Sequence, residues 1–247
     1  MRRETQNVLL VLLGGALLKL ALTGTYLRYV KASLQPWLVA TGVVMVLLAV
    51  VAIVRDVRAQ HARATSGEPE AHDDHEHGDH EHGGSRSPWL LLLPVLAVFL
   101  ISPPALGSDS VSRADDGQPQ AQSSSGGFAP LADDAVVPLT ITEFVTRTAW
   151  DDSGSLDDRT VRLTGFVARV DGQVFVARLA ISCCAADARP IKVLLTGADM
   201  GVWATDQWVE VTGRYVPGTA TKETAYVPTF TVGEVVPIAA PRETYEG

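Results

Sequence analysis

Only two of the 247 residues are cysteines, and they are adjacent, Cys183 and Cys184. That excludes a framework of disulfides and the CxxC spacing of a structural zinc site. All six histidines lie between His61 and His82, so nothing beyond residue 82 carries an imidazole. The C-terminal part therefore lacks the usual general base for a serine or cysteine nucleophile. No Walker loop or dinucleotide fingerprint occurs either, and the chain is expected not to be an enzyme. Basic residues are scarce in the same region. Residues 108–247 hold 19 acidic and 11 basic side chains, the whole net charge of −8, while residues 1–107 hold nine of each. Nucleic-acid binders need the opposite balance, because Lys and Arg neutralise phosphates. No nucleic-acid partner is expected.

Apolar residues, in contrast, are concentrated. About 20 mainly apolar residues cross the hydrocarbon core as a helix. Residues 8–30, 37–54 and 88–107 read as three such helices, with Pro94 inside the third and Pro103–Pro104 at its end. The first begins after Arg2 and Arg3 but offers no small-residue cleavage site and runs straight into the second, so an uncleaved helix is expected. Lys and Arg in the short loops set orientation. Arg2 and Arg3 share one side with Arg55, Arg58, Arg63 and Arg86, against Arg28 and Lys31 opposite. This predicts a multi-pass cell-membrane protein, N-terminus and second loop cytoplasmic, C-terminal domain extracytoplasmic. Lys19 lies within the first apolar run. A charge at that depth either contacts a partner or a polar path, or snorkels.

Residues 55–87 form the second loop, and five histidines crowd its AHDDHEHGDHEHG stretch: His72, His75, His77, His80 and His82. Imidazoles interleaved with carboxylates favour Zn²⁺ and other transition metals, in several alternative ligand sets. Such a composition builds no core. The competing reading is a solvated linker.

Residues 108–135, with SSSGG at 123–127, read as a flexible linker. Residues 136–247 then read as an all-β domain preceded by a short helix. Thr140 or Thr142 caps that helix, and Ile141, Phe144, Val145 and Thr148 give it helical spacing. Five strands follow, over 160–170, 173–181, 191–195, 207–216 and 226–236. Asp171–Gly172 is the turn of a hairpin, and Pro228 marks an edge or a bend. VRLTGFV at 161–167 and VEVTGRY at 209–215 each carry an internal glycine, Gly165 and Gly213, as curling strands do. Five curled strands in this length suggest a small OB-like barrel.

From Arg178, near the end of the second strand, the chain runs on to Cys183-Cys184-Ala185-Ala186-Asp187-Ala188 before the third. Trp208-Val209-Glu210-Val211-Thr212-Gly213 follows, and later Pro241 and Tyr245. With these motifs the chain resembles the YcgQ-type family of uncharacterised membrane proteins. The resemblance implies a subunit that works with a YcgR-type integral membrane permease; a link to zinc is in keeping with the histidine loop.

For Cys183 and Cys184 three readings stand: soft-metal ligation with Asp187, a vicinal disulfide, or burial as small apolar residues. Arg178 is a candidate partner for Asp187, and with Lys19 a candidate structural or partner contact. No cofactor is certain; zinc or another transition metal is the candidate. The first functional expectation is an accessory subunit of a membrane permease complex for a transition-metal ion or metal-linked solute. The second is a membrane-anchored binding module with an extracytoplasmic OB-like domain and no transport role.

Overall fold

The structure, a computed structural model, describes residues 3–65, 92–101, 104–113, 128–197 and 199–247. It divides into two compact units. The first takes in Met1–Tyr26 and Ser33–Pro103, the second Leu27–Ala32 and Pro104–Gly247.

The first unit is a helical hairpin of α1 (Arg3–Thr23) and α2 (Gln35–Thr65), with α3 (Leu92–Ile101) beside α1. Two helices are long and apolar enough to cross a membrane, within Gln6–Thr23 and Ala32–Ala62. Small residues set their spacing. A Cβ on Gly14 would lie 2.9 Å from a Val46 methyl, and one on Gly42 would lie 2.8 Å from Leu18 Cγ. Ala21 and Ala49, on the same helix faces, are buried too, so close backbone approach replaces large side chains. Val43, Val44, Leu47, Leu48, Val50 and Val51 point outward and are exposed. Lys19 is also exposed.

The first apolar run does not continue as one helix to residue 30. Gly24 takes a φ of 76° and the chain turns into the 3-10 segment Thr25–Arg28. A left-handed glycine is a standard helix stop. Of the third apolar stretch, expected over 88–107, the described helix is Leu92–Ile101. α2 runs on to Thr65, so residues 55–65, expected as the start of the second loop, are helical; the five tract histidines, residues 66–87 and residues 114–127 lie outside the described residues.

The second unit is mostly sheet. Its elements are α4 (Ser108–Arg113), β1 (Val137–Leu139), α5 (Ile141–Trp150), β2 (Val161–Val170), β3 (Gln173–Ala180), β4 (Arg189–Thr196), β5 (Trp208–Tyr215), β6 (Thr229–Pro237) and β7 (Tyr245–Glu246). The linker read at 108–135 thus contains a helix, α4. Its Val111 is 1% exposed and packs among Phe166, Ala168 and Phe175; a tether has no buried anchor of that kind.

Five strands pair in a closed ring. β2 pairs with β3, β3 with β4 and β5 with β6, each antiparallel; β4 pairs with β6 in parallel, and β5 returns to β2 antiparallel. Phe166 is where β2 changes partner, opposite Trp208 on one side and Ala177 on the other. The preceding Gly165 is required there, since a Cβ would lie 2.6 Å from the Ala177 carbonyl oxygen. At Gly213 the β5–β6 register shifts, and a Cβ would run into the Thr231 carbonyl. Asp171 and Gly172 have φ of 51° and 78°, the primed geometry of a two-residue hairpin.

Because side chains alternate across a strand, β2 and β3 serve two cores. Leu163, Val167 and Val176 face inward, with Val193, Val209, Val211 and Phe230. The end of that space is filled by Ile141, Phe144 and Val145 of α5, Phe144 meeting Phe230 edge-on at 5.5 Å. Phe166, Ala168, Phe175, Ala177 and Leu179 face outward and are covered by Val111 and Tyr245.

Removing the plug tests this packing. Phe144→Ala is expected to lower the unfolding free energy by about 3–5 kcal/mol in urea titrations of the purified chain. A loss under 1 kcal/mol would mean that α5 does not fill the ring.

Candidate functional site

β3 and β4 are joined by a loop that bends back on itself through the 3-10 turn Ala185–Asp187. One carboxylate organises it. Asp187 Oδ1 accepts from the Ser182 amide at 2.9 Å, and Oδ2 accepts from the amides of Cys183 at 2.9 Å and Cys184 at 3.4 Å. Three consecutive amides on one carboxylate stabilise its charged form. The pKa of Asp187 is held down to about 2, chiefly by the Cys183 thiol and then by these amides. The Cys183 thiol is pushed up to about 12, first by its hydrogen bond to Asp187 and then by Cys184. Both cysteines are free, with Sγ atoms 3.5 Å apart; Cys183 is exposed and Cys184 half-buried. Burial as packing residues is therefore not their state. Among the described residues, Cys183, Cys184 and Asp187 are the one group whose donor atoms, all within 4.8 Å of one another, could hold a metal ion.

The loop has a backbone partner. Lys31 N–H donates to Cys183 O at 3.1 Å, and Ala185 N–H donates to Tyr29 O at 2.7 Å, with Val30 opposite Cys184 as an antiparallel bridge. Residues 27–32 are the link between α1 and α2. They belong to the β unit, and nothing in their composition signals it. The Tyr245 hydroxyl adds a second tie, donating to Arg28 O at 2.9 Å and accepting from Leu106 N–H at 3.0 Å.

Arg178 does not serve the cysteine loop. It is 7% exposed and pairs with Glu246, Nε to Oε1, at 3.7 Å. One Nη donates to Glu243 O at 2.9 Å, and the guanidinium lies 4.9 Å above the Trp208 ring. The expected Arg178–Asp187 pair is thus replaced. Asp187 is occupied by amides of its own loop, while Arg178 faces the strand β7 that runs parallel to β3. Burial pulls the Arg178 pKa down, and Glu246 and Glu243 oppose the shift. Glu246 also caps α5, accepting from Ile141 N–H at 3.0 Å and Thr142 N–H at 2.8 Å. Anionic groups are favoured at a helix N-terminus. A cleft of about 770 Å³ opens beside this tail, lined by Arg178, Arg162, Glu210, Glu243 and Glu246 among others. Sequence reasoning missed Glu246, whose two-residue strand has no periodicity to read.

Residues 5–115 match the model of the DUF1980 N-terminal domain, and residues 145–246 match that of the DUF1980 C-terminal domain. The chain belongs to the DUF1980 family. The C-terminal match takes in all five strands of the ring, the cysteine loop, Arg178 and Glu246. The N-terminal match takes in both long helices and the 27–32 link. No curated protein and no solved structure matches the chain. Both partners in the link-to-loop pairing therefore lie within DUF1980 domains.

Two outcomes follow from these ties. Asp187→Asn is expected to speed alkylation of Cys183 by iodoacetamide at pH 7.5 by about 10- to 100-fold, since a lower thiol pKa raises the thiolate fraction more than it reduces nucleophilicity. An unchanged rate would break the link between Asp187 and the thiol. The depressed pKa of Asp187 also fixes a sign. Its contribution to loop stability is fully present above the ordinary value of 3.8 and is lost as pH falls through about 2. The carboxyl resonance of Asp187 should stay flat in NMR titrations from pH 7 to 4. Separately, Arg178→Met strands Glu246 in a buried site and is expected to cost about 3–5 kcal/mol. The double change Arg178→Met with Glu246→Gln should recover part of that loss in urea titrations; full additivity would show that the two groups do not interact.

Proposed function

We propose that this DUF1980 protein is an accessory subunit of an integral membrane permease complex for a transition-metal ion or metal-linked solute. In this reading, a helical block anchors it and its β unit works outside the cytoplasm. The observation that carries the reading is the pairing of residues 29–31 with the cysteine loop. That pairing attaches the candidate ligand loop to the link between two helices long and apolar enough to cross a membrane.

Connectivity then bears on topology. In this reading the 27–32 link and the β unit share one side of the bilayer. The chain then leaves that side through α2 and returns through the stretch 88–107. Three spans are in keeping with this arrangement. The Lys/Arg bias makes the shared side the extracytoplasmic one, with the histidine tract inside. The exposed apolar faces of α1 and α2 suit lipid or a permease, and Lys19 is the candidate contact on that surface.

The β unit fits an OB-like barrel. Its ring order, with β4 and β6 parallel and every other neighbour antiparallel, is that of a five-stranded Greek-key barrel, and α5 supplies the plug. The family resemblance to YcgQ-type proteins supplies the expected partner, a YcgR-type permease. The cleft beside Arg178 supports the second reading, a membrane-anchored binding module without a transport role.

Affinity purification from native membranes separates the two: co-purification of a polytopic permease is expected, and its consistent absence sinks the subunit reading. For topology, Lys222→Cys in a chain with Cys183→Ser and Cys184→Ser should react with a membrane-impermeant maleimide on intact cells. Reaction only after permeabilisation would put the β unit in the cytoplasm.

A further inference from the structure

We infer that Cys183, Cys184 and Asp187 form an open, exchange-type site for a borderline-soft divalent cation of the Zn²⁺ kind, seated on the backbone that binds the α1–α2 link. The bite of the two thiols selects the coordination. At a metal–thiolate distance of about 2.3 Å, sulfurs 3.5 Å apart subtend about 100° at the ion, near the tetrahedral angle. A linear two-coordinate ion would need them about 4.6 Å apart by the same bond length. The observed spacing suits a bent chelate, whereas a linear one would need the sulfurs to move apart by about 1 Å.

The third donor is Asp187. A carboxylate has about four lone-pair directions; Oδ2 takes two amides and Oδ1 one, so Oδ1 retains capacity without surrendering its amide. No fourth protein donor joins the group among the described residues, and Cys183 is exposed. Closed four-ligand sets store or fold around zinc, whereas a vacant fourth position admits an exchanging ligand. Three donors on an exposed loop therefore suit hand-over of the ion to a donor from another molecule.

The loop's attachment adds a readout. Cys183 O and Ala185 N, the backbone groups flanking the chelate, are the ones bonded to Lys31 and Tyr29. An ion held between the two sulfurs acts on the same short stretch that holds the link between the long helices. The transport meaning of this site rests on the permease reading above; the binding itself does not.

The test uses the full chain in detergent, reduced, with His72, His75, His77, His80 and His82 changed to Asn so that the tract cannot compete. Co²⁺ alone is the spectroscopic probe, and Zn²⁺ its competitor. One Co²⁺ per chain is expected, with a thiolate-to-cobalt charge-transfer band and the intense visible bands of four-coordinate cobalt, all bleached by Zn²⁺. Cys183→Ser and Cys184→Ser should each weaken the charge-transfer band, the double variant should abolish it, and each should weaken Zn²⁺ binding by more than the roughly 10–100-fold that outer-shell changes cost. A weak six-coordinate spectrum, or Zn²⁺ affinity unchanged when both cysteines are serine, overturns the inference. Metal bound at the thiols without a co-purifying permease upholds the site and removes the transport reading. A permease recovered with a chain that gives no charge-transfer band does the reverse.

Discussion

The carboxylate of Glu246 is the tie on which the β unit depends. It receives two amides from the start of α5 and faces the buried guanidinium of Arg178 on β3. The helix that plugs the ring and the strand that closes it are thus fixed to one side chain. Neither end of this tie is dispensable. Without Glu246 the first turn of α5 loses acceptors, and Arg178 keeps a buried charge with only carbonyl oxygens around it. Tyr245, one residue earlier, covers the outer core with its ring and spends its hydroxyl on Arg28 and Leu106. Two adjacent residues therefore join α5, β3, the α1–α2 link and the segment leading into α4.

The cysteine loop follows the same economy of few groups with several duties. Asp187 closes the turn, holds the Cys183 proton and stands within reach of both sulfurs. That hydrogen bond favours the protonated, slowly reacting thiol. Oxidation proceeds through the thiolate, so the same bond also slows it. A strongly thiophilic ion competes with a proton, whereas a peroxide meets a thiol of low nucleophilicity.

Local features were legible in the sequence, long-range ones were not. Asp171–Gly172, the Thr140 cap and the five main strands each carry their signal within a few residues, and the structure places them within one to three residues of the reading. Gly165 and Gly213 also declared themselves, because a glycine inside a β-branched run has few other reasons to be there. The partner of Arg178 could not be read. Asp187 is closer in sequence and of the right charge, but three neighbouring amides outbid a distant guanidinium for its oxygens. β7 has two residues and no alternation to detect. Residues 27–30 continue an apolar run, so composition assigned them to a helix that the left-handed Gly24 had already ended. The place of α4 rests on the single apolar side chain of Val111, hidden in a polar stretch.

The distance in sequence between α5 and its cap has a kinetic consequence. Ile141 waits for Glu246, and Leu179 waits for Tyr245, so the ring has no complete plug until the chain has been made through residue 246. Contacts this non-local form slowly and late. During synthesis β2 and β3 exist with both faces bare, which is the condition in which strands aggregate. A unit whose closing contacts are supplied last stays extended for longer than one closed by local contacts.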